Sequence, residues 1–192
     1  MGKSQEQSGG GPCRTACAAS PRQEASGANS GWRALGTCGV PGASPTGPAV
    51  GGVTPVRSSG PGAQSFTFRF TDTNGWQDLG VVNVLINDAF NGNQACYLAY
   101  SRLYNTLYLV NDAGTALLAG LTLNGTAGTG NSQCTVSGTG SSASGSGNSL
   151  TLTLNMSFPA TFAGNRLIYA AARSNGDALN SGWQAVGSRT VQ

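Results

Sequence analysis

From Ala49 onward apolar and polar positions alternate with a period of two, the spacing of strands that rest one face on a core and the other in water. Phe66, Phe68 and Phe70 alternate with Thr67, Arg69 and Thr71. Leu150, Leu152, Leu154, Met156 and Phe158 alternate with Thr151, Thr153, Asn155 and Ser157. Val82, Val84 and Ile86 keep the same phase more weakly. Further strands are predicted over 94–102, 105–111, 116–123, 132–137, 166–173 and 186–191, with Arg102-Leu103-Tyr104-Asn105 as a hairpin turn. Thr122–Gly147, rich in Gly, Ser and Thr and interrupted by Ser132–Val136, reads as long loops or short edge strands. Short strands divided by Gly, Asn, Asp and Ser, without an amphipathic helical period, predict an all-β sandwich.

The first 47 residues carry no such period and are rich in Gly, Ser, Ala and Pro, the composition of linker or disorder. One stretch within them is not random. Asn29-Ser30-Gly31-Trp32-Arg33-Ala34-Leu35-Gly36 matches Asn180-Ser181-Gly182-Trp183-Gln184-Ala185-Val186-Gly187 at six of eight positions, and two of the chain's three tryptophans fall in register. The offset, 151 residues from Asn29 to Asn180, is about the length of a large sandwich domain, and self-similarity at a fixed spacing marks repeated modules. The expected organisation is a disordered or non-native tail over 1–27, the last strand of a preceding repeat over 28–41, a Pro/Gly linker over 42–48 and a β-domain over 49–192.

Charge narrows the classes of function. Only 9 % of residues are charged, against about a quarter in average globular proteins, so the surface is wetted by hydroxyls and amides, as in secreted or cell-surface β-proteins. Most of the net charge of +3 falls before residue 48. No basic stripe interleaved with aromatics exists to track phosphates, so nucleic acid is not an expected partner. No apolar run of 18 residues predicts a membrane span. The opening MGKSQEQSGGGPCRTACAAS lacks the apolar centre of a signal peptide. An extracellular or cell-surface location therefore implies that the chain is a fragment or that its reading frame starts upstream.

Of five cysteines, Cys96 and Cys134 lie on predicted strands inside the domain, and Cys13, Cys17 and Cys38 precede it. Their separation suits a disulfide between Cys96 and Cys134, which the extracytoplasmic composition favours; two buried free thiols are the alternative. Cys13 and Cys17 have no histidine and no second cysteine pair to complete a zinc site, so no metal is assigned there. The chain has no histidine, and its one lysine, Lys3, lies outside the domain. The usual general base and the Ser-His-Asp arrangement are therefore missing. Paired-carboxylate hydrolysis would have to use two of Asp72, Asp78, Asp88, Asp112 and Asp177, and no surrounding motif supports it. No enzymatic activity and no cofactor are expected.

Two local patterns suggest ligands. In Thr71-Asp72-Thr73-Asn74-Gly75-Trp76-Gln77-Asp78-Leu79, Asp72, Asn74 and Asp78 could offer oxygens to Ca²⁺, although the same residues make a strand–turn–strand connection, the favoured reading. Trp76, Tyr97 and Tyr104, with Tyr100 and Tyr108, raise carbohydrate binding by aromatic stacking; alternation sends Cys96, Leu98 and Tyr100 to one face and Tyr97, Ala99 and Ser101 to the other, so some tyrosines belong to the core. Asn124 and Asn155 match the glycosylation acceptor pattern, Asn155 from inside a strand.

Phe66-Thr67-Phe68, Asp72-Thr73-Asn74-Gly75 with Asp78-Leu79, Ala95-Cys96-Tyr97, Asn105–Asp112, Asn131-Ser132-Gln133-Cys134, Ser144–Asn148, Phe162-Ala163-Gly164 and Asn180–Gln184 lie along the stretch from about Val50 to Gln192 as structural motifs. In these residues the stretch resembles the immunoglobulin-like or fibronectin-type-III-like repeats of secreted multidomain bacterial proteins, those of acidobacteria in particular. The resemblance implies an immunoglobulin-like antiparallel sandwich in tandem array, neighbouring repeats as partners, and no catalytic residues. Such modules serve as spacers, as adhesion elements toward a polysaccharide or cell-surface ligand, or as companions of enzymes and sugar-binding domains.

Overall fold

The computed structural model describes residues 47–192. The readings for residues 1–27 and 28–41, most of the 42–48 linker, and Cys13, Cys17 and Cys38 fall outside the described residues. In chain order the strands are β1 (Ala49–Thr54), β2 (Arg57–Gly60), β3 (Gln64–Thr71), β4 (Leu79–Asn87), β5 (Cys96–Ser101), β6 (Thr106–Leu109), β7 (Leu121–Thr122), β8 (Gly128–Gly130), β9 (Thr135–Ser146), β10 (Ser149–Ser157), β11 (Gly164–Ser174) and β12 (Gln184–Val191). They form a five-stranded sheet, β1-β3-β10-β9-β8, packed on a seven-stranded one, β2-β12-β11-β4-β5-β6-β7.

The alternation read from the sequence sets the packing. β3 and β10 pair antiparallel, with Phe66 opposite Leu154, Phe68 opposite Leu152 and Phe70 opposite Leu150. These residues face Val82, Val84 and Ile86 of β4, Leu98 and Tyr100 of β5, Leu107 and Leu109 of β6 and Ile168 of β11, and none of them is more than 3 % exposed. Each buried side chain of this size contributes about 1.5–3 kcal/mol.

The order of strands is that of a variable-type immunoglobulin sandwich: β1, β3, β10 and β9 stand where A, B, E and D stand, and β12, β11, β4, β5 and β6 where G, F, C, C′ and C″ stand. The cross-link differs from that of antibody domains. β3 and β11 carry no cysteine; instead Cys96, at the start of β5, is bonded to Cys134, just before β9, with Cα atoms 5.5 Å apart. The bond therefore ties one sheet to the other. The edge strand β2 pairs parallel with β12, while β1 pairs with β3 in the opposite sheet, so the first strand changes sheets at Thr54–Arg57.

Two expectations are corrected. The strand predicted over 116–123 contracts to Leu121–Thr122, apart from one bridge between Val110 and Leu117. A turn displaces it: Asn111 Oδ1 accepts the N–H groups of Thr115 (2.9 Å) and Ala116 (3.2 Å), and Gly120 then lies against the Thr106 and Tyr108 side chains. Conversely, much of Thr122–Gly147 is strand rather than loop. β9 runs for 12 residues, with Gly145 opposite Leu150, Ala143 opposite Leu152 and Val136 opposite Met156. Its bulge is fixed by buried Ser141, whose Oγ accepts Asn155 N–H at 2.8 Å, beside Gly140 at a φ of 80°.

Replacing Cys96 and Cys134 together by alanine is expected to lower unfolding free energy by about 4 kcal/mol, the chain-entropy value for a loop of this length. Denaturant titration of the variant and the oxidised protein measures it, and a difference below about 1 kcal/mol would contradict the assignment.

Candidate functional site

While one face of the seven-stranded sheet forms the core, its outward face carries a cluster of aromatic rings. Register places Tyr169, Leu85 and Tyr97 side by side across β11, β4 and β5, and Ala171, Asn83 and Ala99 in a neighbouring row. Leu85 is 3 % exposed although it stands apart from the inter-sheet core. Four rings stand on this face, with Tyr169 and Tyr97 directly on either side of Leu85. Phe90, from the β4–β5 loop, has its ring centre 5.2 Å from that of Tyr169 and 5.6 Å from that of Trp183. Trp183 in turn lies 5.8 Å from Tyr97, and all three contacts are edge to face. Beside the rings the small side chain of Ala171 leaves a pit of about 320 Å³, lined by Asn83, Tyr97, Arg173, Asn180 and Trp183.

The repeated Asn-Ser-Gly-Trp signature builds one wall of that pit. Ser181 N–H donates to the Ala172 carbonyl, and Ala172 N–H donates to Ser181 Oγ, both at 2.9 Å. Asn180 forms a bridge with Arg173, and its Oδ1 accepts Gly182 N–H at 3.1 Å. Gly182 has a φ of 64°, a left-handed conformation that glycine adopts without a Cβ clash. The chain thus leaves β11, turns, and sets Trp183 on Tyr97 and Phe90 before β12 begins.

Of the three positions read as glycan contacts, Tyr97 alone belongs to this cluster. Trp76 packs against the inter-sheet core and lies so closely on Gly145 that an added Cβ would stand inside the indole. It lines a separate cleft of about 210 Å³ with Tyr100 and Arg102. Tyr104 is 70 % exposed at the tip of the β5–β6 hairpin, the turn predicted for Arg102–Asn105. Tyr100 points inward, as alternation requires, and its hydroxyl donates to Asn105 Oδ1 at 2.9 Å. Burial pushes its phenol above the ordinary value, opposed by the smaller effect of the Arg102 guanidinium. In the sequence Trp183 stands out through the repeated Asn-Ser-Gly-Trp stretch and not as a ligand contact. Phe90, in a polar loop, and Tyr169, in an apolar run, gave no signal of their own.

The candidate calcium residues form a turn. Asp72 is 1 % exposed, and its Oδ1 accepts Asn74 N–H at 2.9 Å, while Asn74 Nδ2 donates to Asp78 Oδ2 at 3.0 Å. Gly75 N–H donates to the Asp72 carbonyl at 3.1 Å, closing the reversal from β3 to β4. Asn74 thus presents a donor, not an oxygen, to the Asp78 carboxylate. Among the described residues no three carboxylate, thiol or imidazole groups gather in a metal-binding arrangement.

The other aspartates hold local structure too. Asp88 pairs with Arg166 at 2.9 Å and Asp177 with Arg173 at 3.0 Å. Asp112 accepts the hydroxyl and backbone N–H of Ser132, and these bonds hold its carboxyl below the ordinary value. Next to it Asn131 Nδ2 donates to the carbonyls of Ala95 (2.9 Å) and Val110 (3.1 Å), and its Oδ1 accepts Cys134 N–H (3.0 Å), clamping the loop that carries the disulfide. Asn124 is exposed, whereas Asn155 sits in β10 with its Nδ2 donating to the Thr139 carbonyl at 3.3 Å. Compared with known proteins, the chain matches no family model and no curated protein.

Gly145→Ala is expected to push Trp76 off its seat, at a cost of about 1–3 kcal/mol, with a red shift in indole emission; unchanged stability and emission would contradict the packing. Because the Asp112 carboxyl is held low in the folded protein, its contribution to stability is fully present above the unfolded-state value and is lost as pH falls through the folded-state value. Asp112→Asn should therefore lower the melting midpoint at neutral pH and converge with the parent protein in strong acid. Parallel midpoint curves across that range would refute the pairing.

Proposed function

We propose that residues 48–192 are a non-catalytic immunoglobulin-like module, one unit of an end-to-end array in an extracellular or cell-surface protein, serving as a spacer or adhesion element. The observation that carries this reading is where the chain enters and leaves the sandwich. Gly47 lies against Leu179 in the β11–β12 connection, at the end where β12 begins. β12 then runs parallel to β2 and finishes with Val191 beside Gly60. Entry and exit are separated by the length of β12, eight residues at about 3.3 Å each, roughly 26 Å. Modules with termini at opposite ends can be strung in line.

The repeated octapeptide supports the same reading. In this module Asn180–Gly187 is the turn into the last strand, with a dedicated hydrogen-bond pattern, so a copy 151 residues earlier fits the close of a preceding module. Neighbouring repeats are then the first partners. The Cys96–Cys134 bond favours an oxidising compartment. The test is small-angle X-ray scattering on two copies of residues 48–192 joined in series. A maximum dimension near twice that of one copy is expected; two modules folded side by side would overturn the array.

A further inference from the structure

We propose that the pit on the outward face of the seven-stranded sheet binds a neutral pyranose sugar, with Asn83 at its floor and Trp183 and Tyr97 as its walls. Asn83 is the key. It is 7 % exposed, lies on β4 between Ala171 and Ala99, and lines the pit, yet its carboxamide has no hydrogen-bond partner among the described residues. Two positions further along the same strand face, Asn87 Nδ2 donates to the Asn91 carbonyl (2.9 Å) and its Oδ1 accepts Asp88 N–H (2.9 Å). Asn87 organises a loop; Asn83 does nothing comparable. The Asn83 amide atoms are not among the side-chain nitrogens and oxygens sealed from solvent, so they open on the pit and offer a ligand both a donor and an acceptor.

The surroundings select the class of ligand. The one charged group lining the pit, Arg173, is paired with Asp177 at 3.0 Å, so the site offers no unpaired charge to an ion. An apolar ligand would leave the Asn83 amide unsatisfied. A pyranose presents a C–H face to an indole or phenol ring and hydroxyls that both donate and accept, matching Trp183, Tyr97 and a carboxamide together. Trp183 keeps 37 % of its surface exposed and Tyr97 is half-buried, so both remain accessible. Trp76 and Tyr104 do not line this pit. Of Trp76, Tyr97 and Tyr104, Tyr97 alone lines the pit, and its aromatic partner there is Trp183.

Affinity electrophoresis of the full chain through hydroxyethylcellulose, xyloglucan, galactomannan and dextran tests the proposal, with melting midpoints measured in parallel. At least one polysaccharide should retard the protein. Asn83→Ala should weaken that retardation at least tenfold while leaving the midpoint unchanged, since the amide makes no hydrogen bond among the described residues and opens on the pit. Trp183→Ala should weaken retardation as well, and Tyr104→Ala should not. No retardation by any of the four would overturn the site, as would retention of affinity in Asn83→Ala. A fall in the Asn83→Ala midpoint would assign the amide a structural role and equally overturn it. So would concentration-dependent self-association abolished by Trp183→Ala, which would make the face a contact between copies.

Discussion

Two apolar rows, Phe66-Phe68-Phe70 on β3 and Leu150-Leu152-Leu154 on β10, meet the inward rows of β4, β5, β6 and β11, and the remaining structure depends on that contact. β9 shows the dependence most clearly. Its residues, mostly Gly, Ser and Thr, have little apolar surface, and glycine loses more chain entropy on ordering than any other residue. What orders them is the ladder to β10, whose own position is set by the buried leucines. The small side chains of β9 then become useful. At Gly145 it leaves room for the Trp76 indole, which closes one edge of the core. The disulfide acts at the neighbouring seam, where it ties β5 to the segment entering β9 across the two sheets.

With stability located between the sheets, the outward face of the larger sheet can carry features that add nothing to the main core. Tyr169 and Tyr97 flank one buried leucine, and the face borders a pit that carries the Asn83 amide. Arg189 shows the opposite compromise within the core end of β12: it is 2 % exposed, donates to the Gly60 carbonyl, and leaves two guanidinium nitrogens unpartnered. Burial draws its pKa below the ordinary value, and the Phe158 ring, 5.9 Å from the guanidinium carbon, supplies part of its surroundings.

The sandwich was legible in the sequence because period-two runs of Phe, Leu and Val have no helical alternative, and the 102–105 hairpin because Asn105 tolerates the left-handed conformation it adopts, with a φ of 48°. β9 was not legible, since Gly-Ser-Thr composition signals loop until a neighbouring strand supplies the ladder. The failure at 116–123 has the reverse cause: an apolar run is diverted by an asparagine-held turn. The candidate site was legible only in part. Tyr97 was placed on the correct face by alternation, but Phe90, Tyr169 and Trp183 come together from a loop, a strand and a turn far apart in sequence. No local pattern encodes such a meeting. Trp76, the more conspicuous tryptophan in its motif, belongs to the core edge because of a glycine on a strand that the sequence did not reveal.

Native-state hydrogen exchange over Thr135–Ser146 tests most directly the claim that the two apolar rows order the rest. The account predicts that amides of this segment bonded to β10 exchange slowly, with opening free energies approaching that of global unfolding. Exchange at the rate of an unstructured Gly/Ser loop, while β3 and β10 stay protected, would contradict it.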